Sequence, residues 1–267
     1  MAYYIKTRGQ YNPAKPEEFR LSRSKIDLYL ECPRCFYMDR KLGVSRPDTP
    51  PFTLNSAVDH LLKKEFDIHR KAGTAHPLMK TYKVDAIPFD HEELDIWREN
   101  FKGLQYFHEP TQITVTGAID DLWISPKGEL SVVDYKATSK DKEIELEDTR
   151  WHNQYRRQME VYQWLLRKKG FNVSDTGYFV YVNGKRDRKA FDGKLEFDVK
   201  ILEYKGNDGW VEKAILDAKK CLDGELPKPA DECEYCAYRI AAAKVGAEHI
   251  KNTKKAGSSS KKSNSLF

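Results

Sequence analysis

The chain has 267 residues, 40% of them hydrophobic and 12% aromatic, which is enough for one large domain or two small ones and too apolar for an intrinsically disordered protein. Its formal charge is +5, but no acid follows Glu248, and Lys251, Lys254, Lys255, Lys261 and Lys262 account for the whole excess, so charge alone does not argue for a polyanionic partner. No run reaches the length of a membrane span and MAYYIKTRGQ lacks the apolar segment of an export signal, so the expectation is a cytoplasmic protein without membrane contact.

In chain order, residues 1–20 are polar, carry two prolines, and read as a loosely held arm ahead of a domain over 21–250. From Leu21 the sequence LSRSKIDLYLE predicts a helix capped by Ser22 or Ser24, apolar along Ile26, Tyr29 and Leu30, and interrupted at Pro33. Leu54, Val58, Leu61, Leu62 and Phe66 recur at helical spacing and predict a second helix over 54–70, with Asp59 beside the stripe. Residues 73–90 read as irregular and 90–103 as a helix, while Ile113 and Val115 alternate with threonines as in a strand. A charged loop over 137–150 precedes a helix over 151–169, buried along Tyr155, Met159, Tyr162, Leu165 and Leu166. TGYFVYVN (176–183) predicts a strand with a turn at Asn183-Gly184, a further strand falls near 195–204, and a last helix covers 209–222. The Ser/Lys-rich stretch 251–267 is expected to be a disordered basic tail.

Between these elements lies GAIDDLWISPKGELSVVDYK (117–136), two strands joined by a turn at Pro126-Lys127-Gly128. Asp120 stands near one strand end, while Asp134 and Lys136, two residues apart, share one face of the other strand. Two carboxylates and an ammonium at adjacent strand ends suit a divalent cation, since Mg²⁺ keeps several waters and takes only one or two carboxylates. Such an ion activates a water and offsets the charge that builds on a phosphodiester under attack, and a neighbouring lysine can orient that water. In a chain with 33% charged residues a D-x-K triplet is common by chance, so the flanks carry weight. Val132-Val133 make Asp134 leave a buried strand, and Gly117 permits close approach of a helix or ligand. Gln158 and Tyr162 fall at i and i+4 on one helix face, although Tyr162 also fits the buried stripe.

Four of the five cysteines form two C-x2-C pairs, Cys32/Cys35 and Cys233/Cys236. Without an export signal this spacing favours metal over disulfides, with four unrelated buried cysteines as the alternative. Four thiolates suit Zn²⁺ or an iron–sulfur group and would staple the first helix to the C-terminal segment. Cys221, beside the stripe of the last helix, reads as an inert buried thiol.

The series G-x-I-D (117–120), V-D-Y-K (133–136) and Q-x3-Y (158–162), opened by S-x-S-K-x3-Y-x2-C-P-R-C (22–35) and closed by L-P-x-P-x3-C-x2-C-x-Y-R (226–239), resembles the PD-(D/E)XK nuclease superfamily. The branch it is most similar to is the RecB-like, CRISPR-associated-exonuclease-like one. The resemblance implies an α/β domain with a central mixed β-sheet flanked by helices, acting as a metal-dependent, exonuclease-like DNA nuclease in repair or processing. Its alternative is a non-catalytic module that grips DNA ends or a partner protein on the same fold. Asp120 and Asp134 would be ligands of Mg²⁺ or Mn²⁺, with the carbonyl of Tyr135 as a further one. Lys136 would be the catalytic lysine, and Gln158 and Tyr162 would place the substrate or support the site.

Where the family carries a histidine on an early helix, this chain has Asp59, with His60 beside it. Asp59 is the expected third ligand, and His60 replaces it only if the helix register differs by one residue. In relatives with a 4Fe-4S cluster one cysteine comes early and three late; here the pairs are even, so Zn²⁺ and a 4Fe-4S cluster both stay open. The expected substrate is single- or double-stranded DNA, with RNA as the remaining alternative. No G-x4-G-K-S/T loop occurs, so any unwinding falls to a helicase or other repair partner.

Overall fold

The computed structural model describes residues 5, 6, 8–48, 50–141, 143–146 and 149–261. Its first half runs β1 (Arg20–Ser22), α1 (Arg23–Glu31), α2 (Pro33–Arg40), α3 (Thr53–Ala72), α4 (Pro77–Thr81), β2 (Ile87–Pro88), α5 (Leu94–Arg98), β3 (Leu104–His108) and β4 (Ile113–Gly117). The second half runs β5 (Asp121–Ile124), β6 (Leu130–Thr138), α6 (Arg150–Lys168), β7 (Thr176–Gly184), β8 (Phe197–Lys205), α7 (Val211–Asp223) and α8 (Glu234–Lys261). The strands form two sheets, ordered β1-β4-β3 and β2-β5-β6-β7-β8. The larger sheet is mixed: β6 is antiparallel to β5 and parallel to β7, and β8 returns antiparallel to β7. A parallel pair needs a crossover, and α6 supplies it. The expected α/β fold with a mixed sheet between helices is what the chain forms.

Strand parity sorts the residues of β6. Leu130 and Val132 join the larger core with Met159, Val161 and Tyr162 of α6. Val133 and Tyr135 point the other way, into a smaller core with Leu62 and Phe66 of α3. Asp134 and Lys136 therefore lie on the α6 face. Gly117 is what lets α6 seat against β4, because a Cβ there would stand 2.7 Å from Tyr162 Cε1 and 3.0 Å from Leu165 Cδ1.

Several elements differ from the sequence expectations. Residues 8–19 are not loose, since Tyr11 and Phe19 are buried and meet edge to face at 5.3 Å. Pro33 opens α2 at its first turn, a position that needs no N–H, with Cys32 as the extended cap. In α3 only one narrow line, Val58, Leu62 and Phe66, faces the sheet, so Leu54 and Leu61 are exposed. The helix expected over 90–103 shrinks to α5. Asn183 and Gly184 stay in β7, paired with Asp198 and Phe197, so the turn comes later. α8 continues through 251–261, where a disordered tail is expected, extending from a start rich in alanine, a strong helix former. Residues 262–267 lie outside the described residues. No helix among the described residues is long and apolar enough to cross a membrane.

Candidate active site

Asp120 lies in the short link between β4 and β5, where the chain passes from one sheet to the other. β6 outruns β5 beyond the Asp121–Val133 pair, so the Tyr135 N–H has no strand partner on that side. It donates instead to Asp120 Oδ2 at 3.0 Å. Asp134, in the next β6 position back, is fully buried and ion-paired with Lys136. Even so, neither Asp134 oxygen accepts a hydrogen bond of good geometry from the described residues. Lys136 Nζ also stands 4.6 Å from the ring centroid of Tyr155 on α6.

The neighbouring acid Asp121 does a different job. It faces the opposite side of β5, accepts from the Tyr135 hydroxyl at 2.7 Å and the Leu122 N–H at 2.8 Å, and pairs with Arg70 and Arg98. A carboxylate so fully satisfied is a structural anchor. Asp120, with one face open, is the acid of this pair that belongs to the site.

α3 contributes Asp59 and a residue that the sequence expectations left out, Lys63. Lys63 Nζ is 2.9 Å from Asp59 Oδ2 and 3.0 Å from Asp120 Oδ1. The signal was available, because Lys63 is the i+4 neighbour of Asp59 on the same helix face. His60 is exposed and lines neither of the cavities at the cluster. From α6, Gln158 Nε2 donates to the Tyr162 hydroxyl at 3.2 Å. Arg23 at the start of α1, also absent from those expectations, lines the same cavity as Tyr162 and acts electrostatically on Asp134. The structure thus brings Asp59, Asp120, Asp134, Lys136, Gln158 and Tyr162 together and leaves His60 outside. Two cavities open onto the cluster: about 300 Å³ beside Asn55, Asp59, Lys136 and Tyr155, and about 190 Å³ beside Arg23, Asp120 and Gln158.

The two central acids are pushed apart. Burial, reinforced by the Asp120 charge and only partly offset by Lys136, pushes the Asp134 carboxyl up to about 7. Burial also opposes ionisation of Asp120, but Lys63, Lys136 and the Tyr135 N–H outweigh it and hold that carboxyl below its ordinary range. Burial disfavours the Lys136 ammonium too, yet Asp134 and Asp120 overcome it and raise its pKa.

Because folding raises the Asp134 pKa above the unfolded value of 3.8, the folded state binds this proton more tightly than the unfolded chain. The resulting stability is full below about pH 4 and is lost as pH rises towards 7. Relative to Asp134→Asn, the wild type in chelator should lose about 4 kcal/mol across that interval, measured by chemical denaturation at a series of pH values. A difference that stays flat from pH 4 to 7 would show that the buried acid does not titrate in this way.

The second cluster lies at the far end of α1. Cys32, Cys35, Cys233 and Cys236 are buried, and their sulfurs all lie within 4.8 Å of one another. Cys35 Sγ is 3.5 Å from Cys233 Sγ and 3.6 Å from Cys236 Sγ, and Cys32 Sγ is 3.8 Å from Cys236 Sγ. Each pair sits at a helix start, α2 or α8. Arg239 donates to Cys35 and Cys236 at 3.4 Å each, Arg46 approaches Cys233 at 3.8 Å, and the Ala230 N–H approaches Cys32 at 3.5 Å. These four cysteines can hold a metal, whereas Cys221 stands apart against the Pro33 carbonyl.

Comparison with known proteins decides the family. A family model described as the PD-(D/E)XK nuclease superfamily matches residues 55–241, more than half of the chain. The chain belongs to the PD-(D/E)XK nuclease superfamily. Among curated proteins, none matches it. Solved structures that it resembles include that of SSO0001, at 14% identity and TM-score 0.40, covering 88% of this chain and 86% of that one. Another is a Eubacterium rectale protein described as "Putative exonuclease", at 13% identity and TM-score 0.40, covering 88% and 92%.

PD-(D/E)XK proteins are in general metal-dependent nucleases, and membership makes nucleic acid the substrate class in view. The residues present fit a divalent ion. A buried carboxylate that meets only the Lys136 ammonium, with no well-placed hydrogen bond to either oxygen among the described residues, stands beside a second carboxylate and solvent-reaching cavities and offers the hard oxygen donors that Mg²⁺ and Mn²⁺ take.

Proposed function

We propose that the chain is a divalent-metal-dependent deoxyribonuclease that hydrolyses phosphodiester bonds at the Asp120–Asp134–Lys136 cluster. The observation that carries this reading is Asp134: fully buried, ion-paired with Lys136, and without a well-placed hydrogen-bond donor to either oxygen among the described residues. Asp120 and Asp134 would hold Mg²⁺ or Mn²⁺, with Asp59 and the carbonyl of Tyr135 as further oxygen ligands. A bound ion of this kind supplies an activated water and charge neutralisation at the phosphate.

The remaining steps belong to the side chains. Lys136 keeps its proton, so it acts as a fixed ammonium that orients the attacking water and stabilises the charged phosphoryl oxygens, not as a base. Tyr155 backs that ammonium from the α6 side and limits its rotamers. Gln158, which donates to the Tyr162 hydroxyl, and Arg23 line the same cavity and offer N–H groups to a backbone phosphate next to the scissile one.

The test is an assay on single- and double-stranded DNA and on RNA, with Mg²⁺, with Mn²⁺ and with chelator. The expected result is DNA cleavage that requires the ion. If no nucleic acid is degraded with any divalent ion, the same fold serves as a non-catalytic binding module instead.

For the cysteine cluster, the spacing favours one tetrahedral Zn²⁺ over a 4Fe-4S cluster. Zn–S bonds of about 2.3 Å place sulfurs about 3.8 Å apart; here the three shortest pairs are 3.5, 3.6 and 3.8 Å and all four sulfurs lie within 4.8 Å of one another. A four-iron cube attaches each thiolate to a different iron and so spreads the sulfurs well beyond that spacing. Arg239, and Arg46 although it is also paired with Glu31, bring positive charge against the excess that four thiolates around a divalent ion leave.

A further inference from the structure

Lys63 occupies the space between two of the three carboxylates of the site. Its ammonium bridges Asp59 Oδ2 and Asp120 Oδ1 at 2.9 and 3.0 Å, and its side chain is only 19% exposed. The bridge is built into the helix, because Asp59 and Lys63 are one turn apart on α3 and meet without help from any other element. Asp120 is the hub, with Oδ1 engaged by Lys63 and Oδ2 by the Tyr135 N–H. Two-ion phosphodiester sites hold their metals about 3.5–4 Å apart and stabilise both the attacking and the leaving oxygen with them. A second ion here would need Asp120 Oδ1 and Asp59 together, the pair of groups that Lys63 already joins.

Charge points the same way. Three carboxylates, Asp59, Asp120 and Asp134, face three fixed cations, Lys63, Lys136 and Arg23. One divalent ion already makes the cluster positive, as suits a site that receives a phosphate. A second would add two charges with no acid of this cluster left to meet them.

We propose that Lys63 is a positioning residue that takes the place of a second metal ion, so that this site binds one divalent cation per chain. The proposal rests on the nuclease reading of the same cluster. It also gives Asp59 a defined role, since Asp59 holds Lys63 against Asp120 and only its other oxygen is left for a ligand.

The test is Mn²⁺ stoichiometry, measured by calorimetry and by electron paramagnetic resonance, for which no turnover is needed. The full chain should bind one ion at this site with the uncoupled spectrum of a lone Mn²⁺. Lys63→Met, which keeps the chain length and removes the charge, should bind two ions with a spin-coupled spectrum. Lys63→Met combined with Asp59→Asn should return to one, because the second ion loses its carboxylate. Two ions in the wild type, or a single uncoupled ion in Lys63→Met, would overturn the inference while leaving the nuclease reading intact. Two ions in the wild type overturn the inference even if the variants fail to fold. No Mn²⁺ binding by the wild type would remove the nuclease reading and this inference together.

Discussion

Lys136→Ala should lower metal-dependent DNA cleavage by about 10²–10³-fold, the effect of deleting one preorganised donor at a developing charge. Lys136 is the one ammonium among the described residues that meets Asp134, lies near a cavity wall, and is backed by the Tyr155 ring at 4.6 Å. Its loss removes the fixed positive charge that the phosphoryl oxygens would meet. The fold should tolerate the change, because the partner acid, Asp134, can take up a proton at about pH 7 in place of the ion pair. Far-UV circular dichroism should therefore be unchanged while single-turnover cleavage collapses. Lys136→Arg should not restore the rate, since a planar guanidinium between Asp134 and the Tyr155 ring cannot present the same point charge. Cleavage by Lys136→Ala within tenfold of wild type would take the lysine out of the mechanism.

What was legible in the sequence follows from short-range geometry. Asp134 and Lys136 share a face because they are two apart on a strand, and their burial follows from the apolar residues before them. The two C-x2-C pairs were legible because helix starts bring i and i+3 together. Asp120 and Asp121 were legible only as a pair; strand parity, visible once β5 is placed, sends one to the site and the other to Arg70 and Arg98. Lys63 was within reach of the i+4 rule, but nothing in α3 alone says that its far side meets Asp120. Arg23, Arg46 and Arg239 were out of reach, since each acts across elements far apart in sequence. β4 of the small sheet was legible in its alternation, but β1 was hidden, since it has three residues and exists only through its parallel pairing with β4.

Changing both Cys233 and Cys236 to serine should lower the melting temperature by about 10 °C or more. Chain entropy sets the size of the shift. Cys32 and Cys236 are 204 residues apart, and a metal tying them removes about 5 kcal/mol of loop freedom from the unfolded chain, in the way a disulfide of similar span does. The loss should reach further than the C-terminus. Leu28, Cys35 and Phe36 of the first two helices share the larger core with α7 and with Met159 and Tyr162 of α6, so loosening the staple loosens the support of the site. Stripping the metal with a thiol-competitive chelator should reproduce the shift in the wild type and add nothing in the double variant. Cys221→Ser, which touches none of the four sulfurs, should leave the melting curve where it was. Metal analysis of the purified chain should return one zinc for these four thiolates, and the solution should be colourless. A brown solution with broad visible absorbance would instead assign iron, and an unshifted melting curve in the double variant would mean that the cysteines hold nothing together.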